Sequence, residues 1–277
     1  MAKQGNFDKF IKKKTPKSEK PDRPVRRKRK SETDSRPASR PEEPVRLNRF
    51  IASAGVSSRR NADEIIQAGR VKVNGIVVKE LGVKVIPGKD LVVVDGKNIS
   101  PNLFVYFLMN KPKDHITTLS DEAGRQTVMS IISKYTKVRV FPVGRLDRNT
   151  TGLLLFTNDG RLAEKLSHPS NRVSKVYEIR LDRPISAEHF EKLQTGVELE
   201  DGAAIADRVE ILSPAGDEIM LEIHSGKNRI VRRIFESLGY SVKKLDRVSL
   251  GPLTKKRLPR GTCRPLTSGE IGWLNMI

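Results

Sequence analysis

The chain is poor in the residues that make covalent or metal cross-links. Cys263 is its single cysteine among 277 residues, which excludes an internal disulfide and any Cys-x-x-Cys zinc site. Its four histidines, His115, His168, His189 and His224, lack the His-x-His or His-x-x-x-His spacing that brings two imidazoles to one ion, so no metal is expected. Aromatic residues make up only 5%, and a hydrophobic share of 36% is low for a chain folded throughout. No apolar run approaches the ~18 residues that span a bilayer, and no signal-peptide core stands at the N-terminus. A soluble, cytoplasmic protein with no membrane partner is the expectation. Acidic residues are also in deficit: 33 Asp and Glu against 53 Lys and Arg leave a net charge of +20. A surplus of that size favours a polyanionic partner, nucleic acid first.

The surplus is concentrated at the start. Residues 1–44 hold 15 Lys or Arg against 7 Asp or Glu, with recurrent proline and few aliphatics, a composition that predicts a disordered basic tail. Its clusters Lys12-Lys13-Lys14 and Arg26-Arg27-Lys28-Arg29-Lys30 suit phosphate neutralisation without sequence reading, although a solubilising role fits the same composition.

A small folded unit is expected at 45–96. Leu47, Phe50, Ile51 and Ala54 fall on one helical face closed by Gly55. Ser57 or Ser58 caps a second helix with an Ala62, Ile65, Ile66 stripe, ended by Gly69. Val71 to Val78 then form a hairpin around Asn74-Gly75, a pair suited to the positive φ angles of a type I′ turn. Strands follow at Val83 to Val85 and Leu91 to Val94, with a turn at Asp95-Gly96 and a polar linker from Lys97 to Asn102. The run RLNRFIASAGVSSRRNADEIIQAGRVKVNG, Arg46 to Gly75, closely resembles the S4 RNA-binding domain. That resemblance implies that Arg46, Arg59, Arg60, Lys72 and Asn74 face an RNA backbone, a task suited to planar guanidinium donors.

A second unit, 103–277, reads as α+β, with a mixed or antiparallel sheet flanked by helices. Leu103 to Met109 predicts a buried strand that turns out at Asn110-Lys111-Pro112, followed by a long exposed loop from Asp114 to Arg125. A helix at Val128 to Ile132 and a strand at Val138 to Phe141 lead into GRLDRNTTGLLLFTNDG, Gly144 to Gly160. There Leu153 to Phe156 form a short apolar run between turn signals, so a buried strand follows a loop carrying Asp147. A loop fixed by a rigid strand is a suitable seat for a catalytic group, though Asp-Arg-Asn-Thr-Thr is also good turn sequence. Further on come a helix at Arg161 to Ser167 and a strand at Lys175 to Leu181, in which Val176, Ile179 and Leu181 break strict alternation slightly. A helix at Ala187 to Leu193, strands near Ala204 to Leu212 and Ile219 to His224, and a helix at Arg229 to Leu238 complete the pattern.

MNKP at Met109 to Pro112, the GRLD-to-TNDG stretch, KVYE around Tyr177 and SGKNRIVRRIF from Ser225 to Phe235 together resemble the RsuA family of pseudouridine synthases, which join an S4 domain to an α+β catalytic domain. LDRVSLGPL and LPRG near the end look closer to the large-subunit ribosomal branch called RluB. The resemblance implies isomerisation of a uridine in ribosomal RNA, free or in an assembly intermediate, by a monomer without cofactor, metal or ATP. Asp147 carries over as the catalytic aspartate, and Tyr177 as the aromatic residue against a flipped base. Arg232 carries over as the partner that directs Asp147; Arg145 and Asn228 join the substrate-binding group. Arg229 and Arg233 are assigned to RNA phosphates. Gln is often found in the family where this chain has Ile230, so any polar role there is absent. Two rivals are a non-catalytic RNA-binding factor and a metal-dependent nuclease using Asp147 with Asp159.

Deleting residues 1–44 is expected to weaken RNA binding most at low salt. Titrating the full and shortened chains across a salt series checks this, and equal affinities throughout would refute it.

Overall fold

The computed structural model describes residues 43–277; the basic tail and its two clusters lie outside them. The first module begins with a two-residue strand, β1 (Val45–Arg46), and α1 (Leu47–Ser53), which buries Leu47, Phe50 and Ile51. Helix α2 (Arg59–Gln67) starts at Ser58, whose hydroxyl accepts the Asn61 N–H at 3.2 Å. Its Ala62 and Ile66 close over the same core. Strands β2 (Val71–Val73) and β3 (Ile76–Val78) pair around Asn74 and Gly75, whose φ angles of +51° and +86° are those of the predicted turn. The short β4 (Lys84–Val85) pairs with β1, and β5 (Val92–Val94) with β2.

The stretch read as a linker is half strand. Lys97–Ile99 form β6, antiparallel to β5 across the Asp95-Gly96 turn, and Ile99 packs on the module's core. Its polar composition misled because an edge strand needs only backbone pairing and one apolar contact. Asn102 then donates its backbone N–H to the Ser53 carbonyl at 3.0 Å.

In the second module, β7 (Tyr106–Lys111) begins later and ends later than its apolar run. Leu103 is 89% exposed, and Asn158 holds the chain there instead of a strand neighbour. Its amide donates to the Leu103 carbonyl and its Oδ1 accepts the Val105 N–H, both at 2.9 Å. At the other end Asn110 and Lys111 remain in the strand and are buried, where a turn was expected. A one-turn α3 (Met129–Ile132) precedes β8 (Phe141–Val143), which starts where Val138 to Phe141 was expected to finish. Pairing of Phe141 with Thr157 and Val143 with Leu155 sets that register.

Strand β9 (Thr151–Thr157) is buried along its whole length. Leu153 and Leu155 pack into one core with Leu108, Leu162 and Leu274, while Leu154 and Phe156 pack into another with Met109 and Ile132. Both faces are covered, which explains a continuous apolar run in place of alternation. Each fully buried leucine contributes about 2 kcal/mol of transfer free energy. The Asp159 side chain caps α4 (Gly160–Ser167) and leads the chain to β10 (Lys175–Leu181). In β10 the inward set is Tyr177, Ile179 and Leu181, so alternation is strict once Tyr177 replaces Val176.

After α5 (Ala187–Thr195) come β11 (Arg208–Ile211), β12 (Glu218–Ile223), α6 (Ile230–Ser237) and β13 (Val242–Leu250). The small β14 (Leu253–Thr254), β15 (Cys263–Pro265) and α7 (Ser268–Met276) follow. The large sheet runs β11-β12-β10-β13-β9-β7-β15, with β8 on β9 and β14 on β13. Its pairs are antiparallel except β9 with β13, so the sheet is mixed, as the α+β pattern predicts. Among the described residues no helix is long and apolar enough to cross a membrane.

The parallel contact is made where Gly152 lies opposite Arg247. Gly152 has φ +105°, and a Cβ there would sit 2.2 Å from the Arg247 carbonyl oxygen. Gly152→Ala is therefore expected to cost about 3 kcal/mol through overpacking and backbone strain. The urea midpoint checks this, and an unchanged midpoint would contradict the close approach.

Candidate active site

The Gly144–Thr150 loop leaves β8 and returns into β9, and one buried cation fastens it. Lys111 is fully buried, at 0% exposure, and its ammonium lies 3.0 Å from the Asp147 carbonyl, 3.1 Å from that of Arg148 and 2.7 Å from that of Thr150. The Pro112 carbonyl, at 3.1 Å, completes the cage. Burial pushes the lysine down to about 8, opposed by Asp147 and Asp114. Thr117 secures the loop from outside: its hydroxyl donates to the Leu146 carbonyl at 2.8 Å, and the Asp114 N–H reaches the Arg148 carbonyl at 3.0 Å. The backbone at Asp147 is thus fixed while its side chain, 36% exposed, projects from the loop.

Opposite Asp147 is the start of α6. Arg229 takes the N-cap position with φ +47°, outside the helix rather than in its first turn. Its Nη1 lies 3.6 Å from Asp147 Oδ2, and Arg232 Nε lies 3.7 Å from the same oxygen. The predicted Asp147 and Arg232 pairing is present, and Arg229 shares it. Arg232 is the more enclosed of the two, and its Nη1 also donates to the Val242 carbonyl at 3.2 Å. Burial, and then the charge of Arg229, lower its pKa; Asp147 and Glu236 act the other way. Ile230, Val231, Ile234 and Phe235 are buried and fix α6 in the core, with Ile230 and Val231 also reaching the cavity that Asp147 lines.

A cavity of about 200 Å3 opens beside Asp147. Tyr177 lines it from β10, next to its cross-strand partner Arg247 from β13. Lys175, Thr150 and Leu250 contribute to the same wall, and Arg145 reaches it from the loop. Lys175 donates to the carbonyls of Val173 and His224, at 3.0 and 2.9 Å, and burial followed by the charge of Arg247 pushes it down to about 8.

Asp147, Tyr177, Arg232, Arg145 and Arg229 therefore come together from three separate elements: the Gly144–Thr150 loop, β10 and the start of α6. Asn228 is exposed and does not line the cavity, because the backbone turns at Arg229 before α6 begins. Arg233 faces away and is held by Asp201 at 2.9 Å. In the first module Arg46, Arg59, Arg60 and Lys72 are exposed. Asn74 is exposed as well and also makes internal bonds: its amide donates to Asp90 Oδ1 and its Oδ1 accepts the Leu91 N–H, both at 2.9 Å. Asp159, the second carboxylate of a metal-dependent alternative, is engaged by the Arg161 and Leu162 N–H groups and by the Tyr106 hydroxyl. Lys111, Lys175 and Arg247 had no site role in the sequence reading. Each lies within a short stretch that marks the family resemblance, which was the available signal.

Residues 105–237 match the RNA pseudouridylate synthase family, and residues 45–92 match the S4 domain. An RNA pseudouridine synthase of Aquifex aeolicus (strain VF5) is 43% identical over 233 residues, covering 83% of this chain and 93% of that protein. Ribosomal large subunit pseudouridine synthase B of Bacillus subtilis (strain 168) is 42% identical over 230 residues, covering 82% and 93%. A crystal structure of a pseudouridylate synthase superimposes with a TM-score of 0.60 at 29% identity, covering 83% of this chain and 99% of that one.

Lys111→Met keeps the length of the side chain and leaves the caged carbonyls without a donor. We expect a loss of about 3 kcal/mol in unfolding free energy, since several buried acceptors become unsatisfied together. Denaturant unfolding measures this, and wild-type stability would show the cage to be dispensable.

Proposed function

The chain belongs to the RNA pseudouridylate synthase family, with an S4 domain joined to the synthase domain, and we propose that its substrate is a uridine of large-subunit ribosomal RNA. The family's reaction breaks the C1′–N1 bond of the target, turns the uracil and joins C1′ to C5. N1 gains a proton and C5 loses one, so the change is an isomerisation with no co-reactant. The finer assignment is supported by kinship to the B. subtilis large-subunit enzyme and by the basic first module.

In this reading Asp147 is the nucleophile, or the charge that stabilises the sugar as positive charge develops at C1′. The observation that carries it is one carboxylate on a clamped loop, facing two arginines beside a cavity of about 200 Å3 that Tyr177 also lines. Tyr177 gives the flipped base an aromatic face, and Arg232 directs the carboxylate. Arg145 and Arg229 meet the backbone phosphates on either side of the target, and Arg46, Arg59, Arg60 and Lys72 hold more distant RNA. Extrusion is easiest for a loop base, so local RNA shape selects the target, in free ribosomal RNA or in an assembly intermediate. The enzyme acts as a cytoplasmic monomer.

Asp147→Asn is expected to abolish pseudouridine formation while RNA affinity stays within about twofold, because the substitution removes charge and keeps shape. Mapping pseudouridines in ribosomal RNA from cells with the wild-type protein, the variant or neither provides the readout. Product formed by the variant would remove Asp147 from the chemistry, and identical maps in all three would remove ribosomal RNA as substrate.

A further inference from the structure

We propose that Arg247, supported by Lys175, binds a carbonyl oxygen of the target uracil and holds the negative charge of the base while it is detached from the sugar. The inference rests on the reading of the site as a uridine isomerase and adds a second charged centre to it. Asp147 with its arginines faces the sugar side of the cavity; Arg247 and Lys175 form the wall beside Tyr177.

Arg247 is only 4% exposed, yet its hydrogen bonding is incomplete. Its Nε donates to the Leu153 carbonyl at 2.8 Å, while Nη2 is buried with no partner among the described residues. No carboxylate among the described residues forms an ion pair with it, and its charge acts on the Lys175 ammonium of the same cavity, where Asp207 opposes it. The lysine is tied through two carbonyls and likewise has no carboxylate in ion-pair contact among the described residues. Two enclosed cations with no carboxylate in ion-pair contact among the described residues carry a desolvation cost, which is relieved when an acceptor arrives. Cross-strand partners in an antiparallel pair share a face of the sheet, so Arg247 lies at the side of the Tyr177 ring, where the edge of a base stacked on that ring would come.

The chemistry of the step asks for such a group. When C1′–N1 breaks, the bonding electron pair leaves with the uracil and spreads onto its carbonyl oxygens. A guanidinium N–H aimed at one oxygen, with an ammonium behind it, stabilises that charge in an enclosed site where it counts most. The pair returns to the sugar when C5 bonds to C1′, and the C5 proton is then lost, so charge on the base is transient. A backbone phosphate is a poorer occupant: it remains outside the base-sized cavity, among the exposed arginines of the rim. Arg247 is thus assigned as a catalytic residue and Lys175 as a positioning residue.

The test compares the full chain with Arg247→Gln, Arg247→Lys and Lys175→Gln on an RNA fragment carrying the mapped target, in single turnover at saturating enzyme. Arg247→Gln is expected to slow the reaction about 100-fold with RNA affinity unchanged, as for loss of one oxyanion donor. Arg247→Lys recovers part of the rate, and Lys175→Gln loses about 10-fold. The same fragment with 6-azauridine at the target supplies a base that carries negative charge more readily, and there the penalty of each variant is expected to shrink. A penalty equal for both bases, or a loss of affinity with full rate at saturation, would overturn the proposal, the second outcome marking a phosphate contact. If Arg247→Gln fails to fold, Lys175→Gln on the two bases decides. Should the wild-type chain form no pseudouridine in any ribosomal RNA, the isomerase reading itself falls; normal wild-type turnover with unaffected variants rejects only this inference.

Discussion

The burial of one ammonium group in a cage of four carbonyls is the constraint on which the rest of the site depends. Three of those carbonyls belong to Asp147, Arg148 and Thr150, and the fourth to Pro112, so Lys111 ties the end of β7 to the loop that enters β9. A loop normally satisfies its backbone with water, which leaves its conformation loosely set. Here a charged donor replaces the water, and the carbonyls of consecutive turns converge on one point. The cost of burying the lysine is offset only if the loop holds that shape, so the cation and the loop specify each other.

The same logic extends across the sheet. Gly152 allows β9 to approach β13 closely, and β13 itself serves both apolar cores, with Leu245 in one and Leu250 in the other. The cavity forms along that seam, with its loop from one side and Tyr177, Arg247 and α6 from the other. Neither core alone contains the site. Some polar residues at the seam are held by backbone carbonyls of the neighbouring element, as Thr151 and Arg247 are by Leu245 and Leu153.

Much of this was legible in the chain itself. Alternation marked β10, glycine and Asn-Gly punctuation marked the helices and hairpin of the first module, and the apolar run after Asp147 marked β9. What escaped were polar residues doing buried work. Asn110 and Lys111 read as turn formers because sequence patterns price polarity as exposure, whereas in the structure the Asn110 amide donates to the Leu258 carbonyl and the Lys111 ammonium to its carbonyl cage. Lys97 to Ile99 read as a linker because an edge strand leaves little apolar trace. The left-handed backbone at Arg229, which shifts the helix start and turns Asn228 outward, has no signature in a residue that rarely adopts it. Asn74 was assigned to RNA through the S4 resemblance, which carries no trace of the bonds its side chain makes to Asp90 and Leu91.

The spacing between Asp147 and its two arginines has a further consequence. At 3.6 and 3.7 Å the nitrogen and oxygen atoms are beyond ordinary hydrogen-bond contact, and the carboxylate accepts no hydrogen bond from the described residues. Coulomb attraction falls slowly with distance, whereas a hydrogen bond requires contact and alignment. The arginines therefore act on the carboxylate through their charge and not through hydrogen bonds to it. A group held in this way is steered by charge, so a small movement of the carboxylate need not break a hydrogen bond to the protein.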